Sequence, residues 1–211
     1  MKITDLKLIY AKHYLFCRIY TDAGIVGLGE AGNWGYLDAT AAAILKFKEY
    51  LIGKGVPSWR LLDVFPVGRA AHDPQLMLTD EHFRQLMDFI ADTRREGCIR
   101  CAYGCEGFVG NYEMEVRDYS FFCKAGITVG AVRIDGSISS CSSIRADYHQ
   151  GNIYEDDFMD VWENRFEVFR DRDWMRRDEC AECNMFRYCK GSGMHLRDAD
   201  GRLIQCHLSR L

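Results

Sequence analysis

The stretch "CAECNMFRYC", residues 180–189, sets three cysteines at CxxC-x5-C spacing. A gap of two residues lets the chain turn so that both thiols reach one centre, and Cys189 joins after a short excursion. A fourth ligand must come from elsewhere, and Cys206 is the nearest candidate downstream. Cys180, Cys183, Cys189 and Cys206 then form a four-thiolate set, the donor chemistry of either a [4Fe-4S] cluster or a structural Zn²⁺. Zinc ribbons usually pair two CxxC knuckles, and this set holds one. Arg176, Arg177, Arg187 and Lys190 stand close by in sequence, where they would offset the negative charge that gathers when thiolates bind iron and sulfide.

Working outward, ten cysteines occur in 211 residues, six of them in the last ninety. The amino terminus, MKITDLKLIY, alternates apolar and polar residues and lacks the basic start and apolar run of a secretory signal, so the chain is expected to be cytoplasmic. In that reducing setting, clustered cysteines read as metal ligands in preference to disulfides. Cys17, inside an apolar strand, reads as a core thiol. Apolar residues make up 48% of the chain and charged residues 27%, enough to bury a real core. A net charge of -4 gives no electrostatic case for nucleic acid, and no run of roughly eighteen apolar residues is present to span a bilayer.

The patterning predicts an α+β fold in three parts. Residues 1–54 read as a β-meander, with strands Lys2 to Ala11, Tyr14 to Thr21 and Ile25 to Glu30 and a turn at Asp22-Ala23-Gly24. A helix follows, capped by Asp38, with Ile44, Leu45, Phe47 and Leu51 on its buried face and Gly53 ending it. Residues 55–122 read as strand Trp59 to Val67, a helix capped by Thr79 with Phe83, Leu86, Met87 and Ile90 on one stripe, and a strand from Ile99 to Val109. Residues 123–211 hold a hairpin, Gly130 to Ile134 and Ser137 to Cys141 about an Asp135-Gly136 turn. A helix over Asp156 to Arg170 follows, burying Phe158, Val161, Trp162, Phe166 and Phe169, and then the cysteine-rich tail.

"FFCKAGITVGAVRIDGSISSC", "GNIYEDDFMDVWENRF" and "CAECNMFRYCKGSGM" together resemble the SPASM domain that follows the barrel of many radical S-adenosylmethionine enzymes. That family's pattern runs C-x(9 to 15)-G-x4-C, a gap, CxxC-x5-C-x3-C, a gap and a final C. Cys123, Gly136 and Cys141 fit its first part; Cys180, Cys183, Cys189 and Cys206 fit the rest. The resemblance implies one complete [4Fe-4S] site on the latter four. It also implies a second, incomplete site at Cys123 and Cys141, because Gly193 stands where the family has its fourth clustered cysteine. Residues 55–122 then resemble the closing part of the radical barrel.

Cys98, Cys101 and Cys105 run CxxCxxxC, the reverse of the CxxxCxxC that holds the catalytic cluster in that family. They read as strand or loop thiols.

"MKITDLKLIYAKHYLFCRIYTDAGIVGLGEAG" and the Ala-rich helix after it resemble the amino-terminal capping domain of the enolase superfamily, in the mandelate racemase and sugar-acid dehydratase branch. There the loop corresponding to Ala31 to Tyr36 helps choose the substrate, while Mg²⁺ chemistry resides in a separate barrel. No such barrel follows.

The two resemblances imply a natural fusion or joined reading frame meeting near Lys54 to Trp59. The leading expectation is an iron-sulfur-binding auxiliary portion of a radical S-adenosylmethionine enzyme, acting on a peptide or protein. S-adenosylmethionine would serve only a complete family member, and the chain as it stands would be catalytically incomplete. A Mg²⁺-dependent dehydratase or racemase fragment and a zinc-stabilised interaction module are the alternatives.

Overall fold

The computed structural model describes residues 1–12, 14–31, 36–55 and 57–211. The chain divides into two compact units, Met1–Trp59 with Gly97–Arg100, and Arg60–Glu96 with Cys101–Leu211. Mixed helix and sheet run through the chain, in keeping with an α+β fold. No described helix is long and apolar enough to cross a membrane.

In the first unit, β1 (Ile3–Ala11), β2 (Tyr14–Thr21) and β3 (Val26–Glu30) form an antiparallel meander in the order β1-β2-β3. Leu8 pairs with Cys17, which in turn pairs with Gly29, so Cys17 is a half-buried strand thiol. Helix α1 (Leu37–Leu51) begins one residue before the expected Asp38 cap, which instead lies in its first turn. Its buried stripe also differs from expectation: Leu45 and Phe47 are exposed, while Ala41 is buried and Ile44 and Leu51 are half-buried. Positions 41, 44, 48 and 51 fall on one helical face, and Lys48 on that face pairs with Asp5 of β1 at 2.6 Å. Most of the Ala31 to Tyr36 loop, residues 32–35, lies outside the described residues.

Strands β4 (Ser58–Leu61) and β5 (Arg100–Tyr103) pair with each other, each only four residues long and shorter than the sequence suggests. Between them runs α2 (Asp80–Glu96), which buries Phe83, Met87, Ile90 and Ala91. As expected, Thr79 caps it: the hydroxyl accepts the His82 N–H at 3.2 Å. Among the described residues, 55–122 form this strand pair, α2, the short α3 (Glu113–Val116) and three 3₁₀ turns.

The hairpin forms from β6 (Ala131–Val132) and β7 (Ser137–Ser139), and β8 (Gly151–Asn152), not anticipated from the sequence, adds a third strand. Gly136 turns the hairpin at φ +82°, and a Cβ there would lie 2.5 Å from the Asn152 side-chain oxygen. The Asn152 amide donates to the Asp135 carbonyl at 3.1 Å, so the turn and β8 are stitched together. Asp156 accepts the Asn152 N–H at 2.9 Å and pairs with Arg165 at 2.8 Å.

The predicted long helix is two short ones, α4 (Phe158–Asn164), capped by the Asp157 carboxylate, and α5 (Glu167–Arg170). The break at Arg165 lets Val161, Phe166 and Phe169 all reach the core. That core also contains Cys123 and Cys180, with Cys141, Cys183 and Cys189 packed against it. The last helix, α6 (Phe186–Cys189), is a single turn between two cysteines.

Candidate metal centre

Cys180 closes a 3₁₀ turn, Asp178–Cys180, and its carbonyl accepts the Cys183 N–H at 3.4 Å. The Cys183 carbonyl in turn accepts the Phe186 N–H, which starts α6 and brings Cys189 round one helical turn. After Cys189 the chain doubles back through three left-handed residues, Lys190 at φ +50°, Gly191 at +79° and Ser192 at +69°. Gly191 is required there on two counts, because a Cβ would also meet Met175 Sδ at 2.5 Å. The reversal turns the N–H groups of Gly191 and Ser192 toward the Cys189 sulfur, where they favour a thiolate.

Cys206 arrives from the far side. The Ile204 N–H donates to the Leu196 carbonyl at 2.7 Å, and the neighbouring His207 is buried among the rings of Phe65, Phe83 and Tyr103. Burial, with Arg210 nearby, pushes His207 down to about 3, so its imidazole is neutral. Beyond it Arg210 pairs with the fully buried carboxylate of Asp63 at 2.7 Å and with Asp80 at 3.2 Å. The ligand-bearing tail is thereby clamped to the segments around α2.

Cys180, Cys183, Cys189 and Cys206 all line one small cavity of about 30 Å³, together with Phe108, Phe186 and Leu203. Among the described residues no group of three or more His, Cys, Asp or Glu is placed to hold a metal ion. The space equals that of about one water. Burial raises the Cys180 thiol and pushes Cys189 up to about 12, with the neighbouring cysteines opposing ionisation further. Such thiols stay protonated until a cation displaces their protons.

The charge that answers them is Arg197. Its side chain is fully buried, and Nη2 lies 3.4 Å from Cys180 Sγ while donating to the Gly191 carbonyl at 2.8 Å. Nη1 donates to the Gly201 carbonyl at 3.2 Å, and Nε has no partner. Among the described residues no carboxylate pairs with this guanidinium. The basic residues expected to serve the site are exposed instead: Arg176 lies over Phe186, Arg177 donates to the Asp200 carbonyl and Arg187 lies over Tyr188. Nothing in the sequence separates Arg197 from its surface counterparts, because burial is decided by the fold.

Cys123 and Cys141 line a second cavity of about 410 Å³, with Arg60, Glu106, Phe121 and Lys124 in its wall. Cys123 is buried, and its carbonyl accepts from Arg172 Nη2 at 2.7 Å. Arg172 is a second buried guanidinium; it donates also to the carbonyls of Phe169, Ala125 and Ser192 and lies over the Phe122 ring at 5.1 Å. The remaining cysteines serve differently. Cys98 is exposed in the first unit, and Cys101 is buried within β5. Cys105 accepts the Asp63 N–H at 2.9 Å and donates back to the Asp63 carbonyl at 3.2 Å.

With this geometry in view, the comparison with known families finds SPASM, an iron-sulfur cluster-binding domain, over residues 123–184. The matched span starts at Cys123 and takes in Cys141, Cys180 and Cys183; it lies wholly in the second unit and does not reach residues 1–54. Among curated proteins and among solved structures, nothing matches the chain.

Proposed function

We propose that the chain binds a [4Fe-4S] cluster through Cys180, Cys183, Cys189 and Cys206. In this reading it is the auxiliary portion of a radical S-adenosylmethionine enzyme that acts on a peptide or protein in the cytoplasm. The observation that carries the cluster is Arg197. A buried guanidinium without a carboxylate is costly unless an anion faces it, and four thiolates around iron and sulfide supply one. The SPASM match over residues 123–184 supports iron-sulfur against zinc for the same thiols. The radical-enzyme context and the peptide substrate rest on the resemblance, with β4, α2 and β5 taken as the end of a barrel. When bound, the cluster would supply one-electron redox chemistry; the protein supplies thiolates, the Gly191 and Ser192 N–H groups, and the Arg197 charge.

Anaerobic reconstitution with ferrous iron and sulfide tests the reading. Brown charge-transfer absorption with matching iron and sulfide, weakened when Cys183 is replaced by alanine, is the expected result. Colourless protein that takes one zinc tightly under the same conditions would establish the interaction-module reading instead.

A further inference from the structure

The larger cavity, of about 410 Å³, falls in the size range that takes small organic molecules. One wall is the segment from Phe121 to Ala125, which is fixed from behind. The buried Glu113 carboxylate accepts the Phe121 N–H at 2.7 Å. Arg172 Nη2 donates to the carbonyls of Cys123 at 2.7 Å and Ala125 at 3.4 Å, and its guanidinium lies over the Phe122 ring at 5.1 Å. The N–H groups of Ile127, Thr128 and Val129 converge on the Lys124 carbonyl and fold Val129 into the same wall. The Lys124 backbone is thus held, while its exposed ammonium meets no carboxylate among the described residues.

Arg60 enters from the end of β4, and it too meets no carboxylate among the described residues. Gly104 has no left-handed φ, yet a Cβ there would lie 2.8 Å from Leu62 Cδ2 and 3.2 Å from Arg60 Nε. The glycine therefore leaves room for the guanidinium, whose Nη2 reaches the Gly104 carbonyl at 3.5 Å. The one carboxylate of the wall, Glu106, is engaged: Oε2 lies 2.7 Å from His195 Nδ1. Two cations outnumber one anion that already has a partner, and the rings of Tyr119, Phe121 and Phe122 supply apolar surface beside them.

We propose that this cavity binds an organic anion, a carboxylate borne on an aromatic or other apolar body, with Arg60 and Lys124 on the charge and the three rings on the body. A guanidinium offers paired donors that match the two oxygens of a carboxylate, and an ammonium adds a point charge. The rings take apolar surface out of water as the ligand enters. Arg172, behind Cys123 and Ala125, adds positive charge without facing the ligand. The two cavities share no lining residue, so this ligand binds whether or not Cys180, Cys183, Cys189 and Cys206 hold iron. A peptide carboxyl end and a free organic acid share the chemistry that the cavity recognises.

Ligand-observed NMR on the full chain with its thiols reduced tests this with 3-phenylpropionate, N-acetylphenylalanine and 3-phenylpropylamine. Both acids should bind and the amine should not. The acid that binds more tightly assigns the source, N-acetylphenylalanine a peptide end and 3-phenylpropionate a free acid. Arg60→Glu and Lys124→Glu should each weaken binding by about tenfold or more, the worth of one hydrogen bond to a charged group. Both side chains are exposed, so circular dichroism should stay unchanged. Lys46→Glu, the same change of charge on α1, should bind as the wild type does. No binding of either acid, equal binding of the amine, or equal weakening by Lys46→Glu would overturn the proposal. So would acid binding that neither cavity variant affects, or acid binding lost on reconstitution with iron and sulfide, since the cavity would then serve an inorganic guest.

Discussion

Arg197 Nη2 lies 3.4 Å from Cys180 Sγ, and the guanidinium that bears it is fully buried with only backbone carbonyls as its other partners. A cation in this position works against the empty protein and for the loaded one. In the thiol state its charge is uncompensated in a low-dielectric interior; in the cluster state it faces net negative charge at hydrogen-bonding range.

Replacing Arg197 with methionine should therefore move the two states in opposite directions. The apo protein is expected to melt within a few degrees of wild type, the lost carbonyl contacts being offset by relief of the buried charge. The loaded protein should lose about 1.5–3 kcal/mol, the typical worth of a hydrogen bond to a charged group, and its cluster should become harder to reduce. Paired melts of apo and loaded protein with a redox titration measure both. Equal destabilisation of the two states would show that Arg197 is merely packing.

Asp63 and Arg210 form a second buried relationship, at 2.7 Å, with the carboxylate wholly inaccessible. Asp63→Ala leaves the arginine with Asp80, the Leu78 carbonyl and the Phe83 ring, a loss of roughly 3 kcal/mol, the lower end for breaking a buried pair. Because the same arginine clamps the tail that carries Cys206, cluster release to a chelator should quicken well beyond what Arg84→Ala causes. Arg84 grips the same tail only through the Arg210 carbonyl, from an exposed position.

That Cys180, Cys183, Cys189 and Cys206 line one cavity agrees with their spacing, a local property that a CxxC turn and one helical turn express whatever surrounds them. The hairpin was legible from Asp135-Gly136, and α2 from Thr79 and its apolar stripe. What failed to show were features decided by tertiary contact. Arg197 and Arg172 have no sequence mark that separates a buried guanidinium from a solvated one. β8 is two residues long, too short to have a period, and exists because Asn152 reaches the hairpin turn. The split between α4 and α5 follows from seating Phe166 and Phe169 together, and α1 turns its Ala41 stripe inward, with Lys48 on that face meeting Asp5.

Asp156 gives a pH dependence with a definite sign. Its carboxyl is held below the usual range, first by the Asn152 N–H and then by Arg165. A folded-state value below the unfolded one means that the contribution is present above about pH 4 and is lost as the pH falls through the folded value. The gap in melting temperature between wild type and Asp156→Asn should be steady from about pH 5 to 8 and close on further acidification. A gap that persisted unchanged at the acid end would mean that the charge is not what holds β8.

The hairpin turn supplies the most demanding substitution. Gly136 combines φ +82° with three close neighbours: the Asn152 side-chain oxygen 2.5 Å from an added Cβ, and two Tyr154 ring carbons at 2.6 and 2.7 Å. An alanine there is strained in its backbone and displaces Asn152, whose amide holds the Asp135 carbonyl and whose N–H meets Asp156. Each effect is of order 1–3 kcal/mol, so Gly136→Ala should destabilise the second unit by roughly 2–4 kcal/mol. Because β6 and β7 run between Cys123 and Cys141, that pair should lose its protection from alkylation before Cys180, Cys183, Cys189 and Cys206 lose theirs. Thiol labelling of the apo protein read by mass spectrometry after graded thermal challenge measures the order of loss. Simultaneous loss of both would show that the hairpin and the cysteine-rich tail unfold as one cooperative piece, and the selective effect assigned to Gly136 would then be wrong.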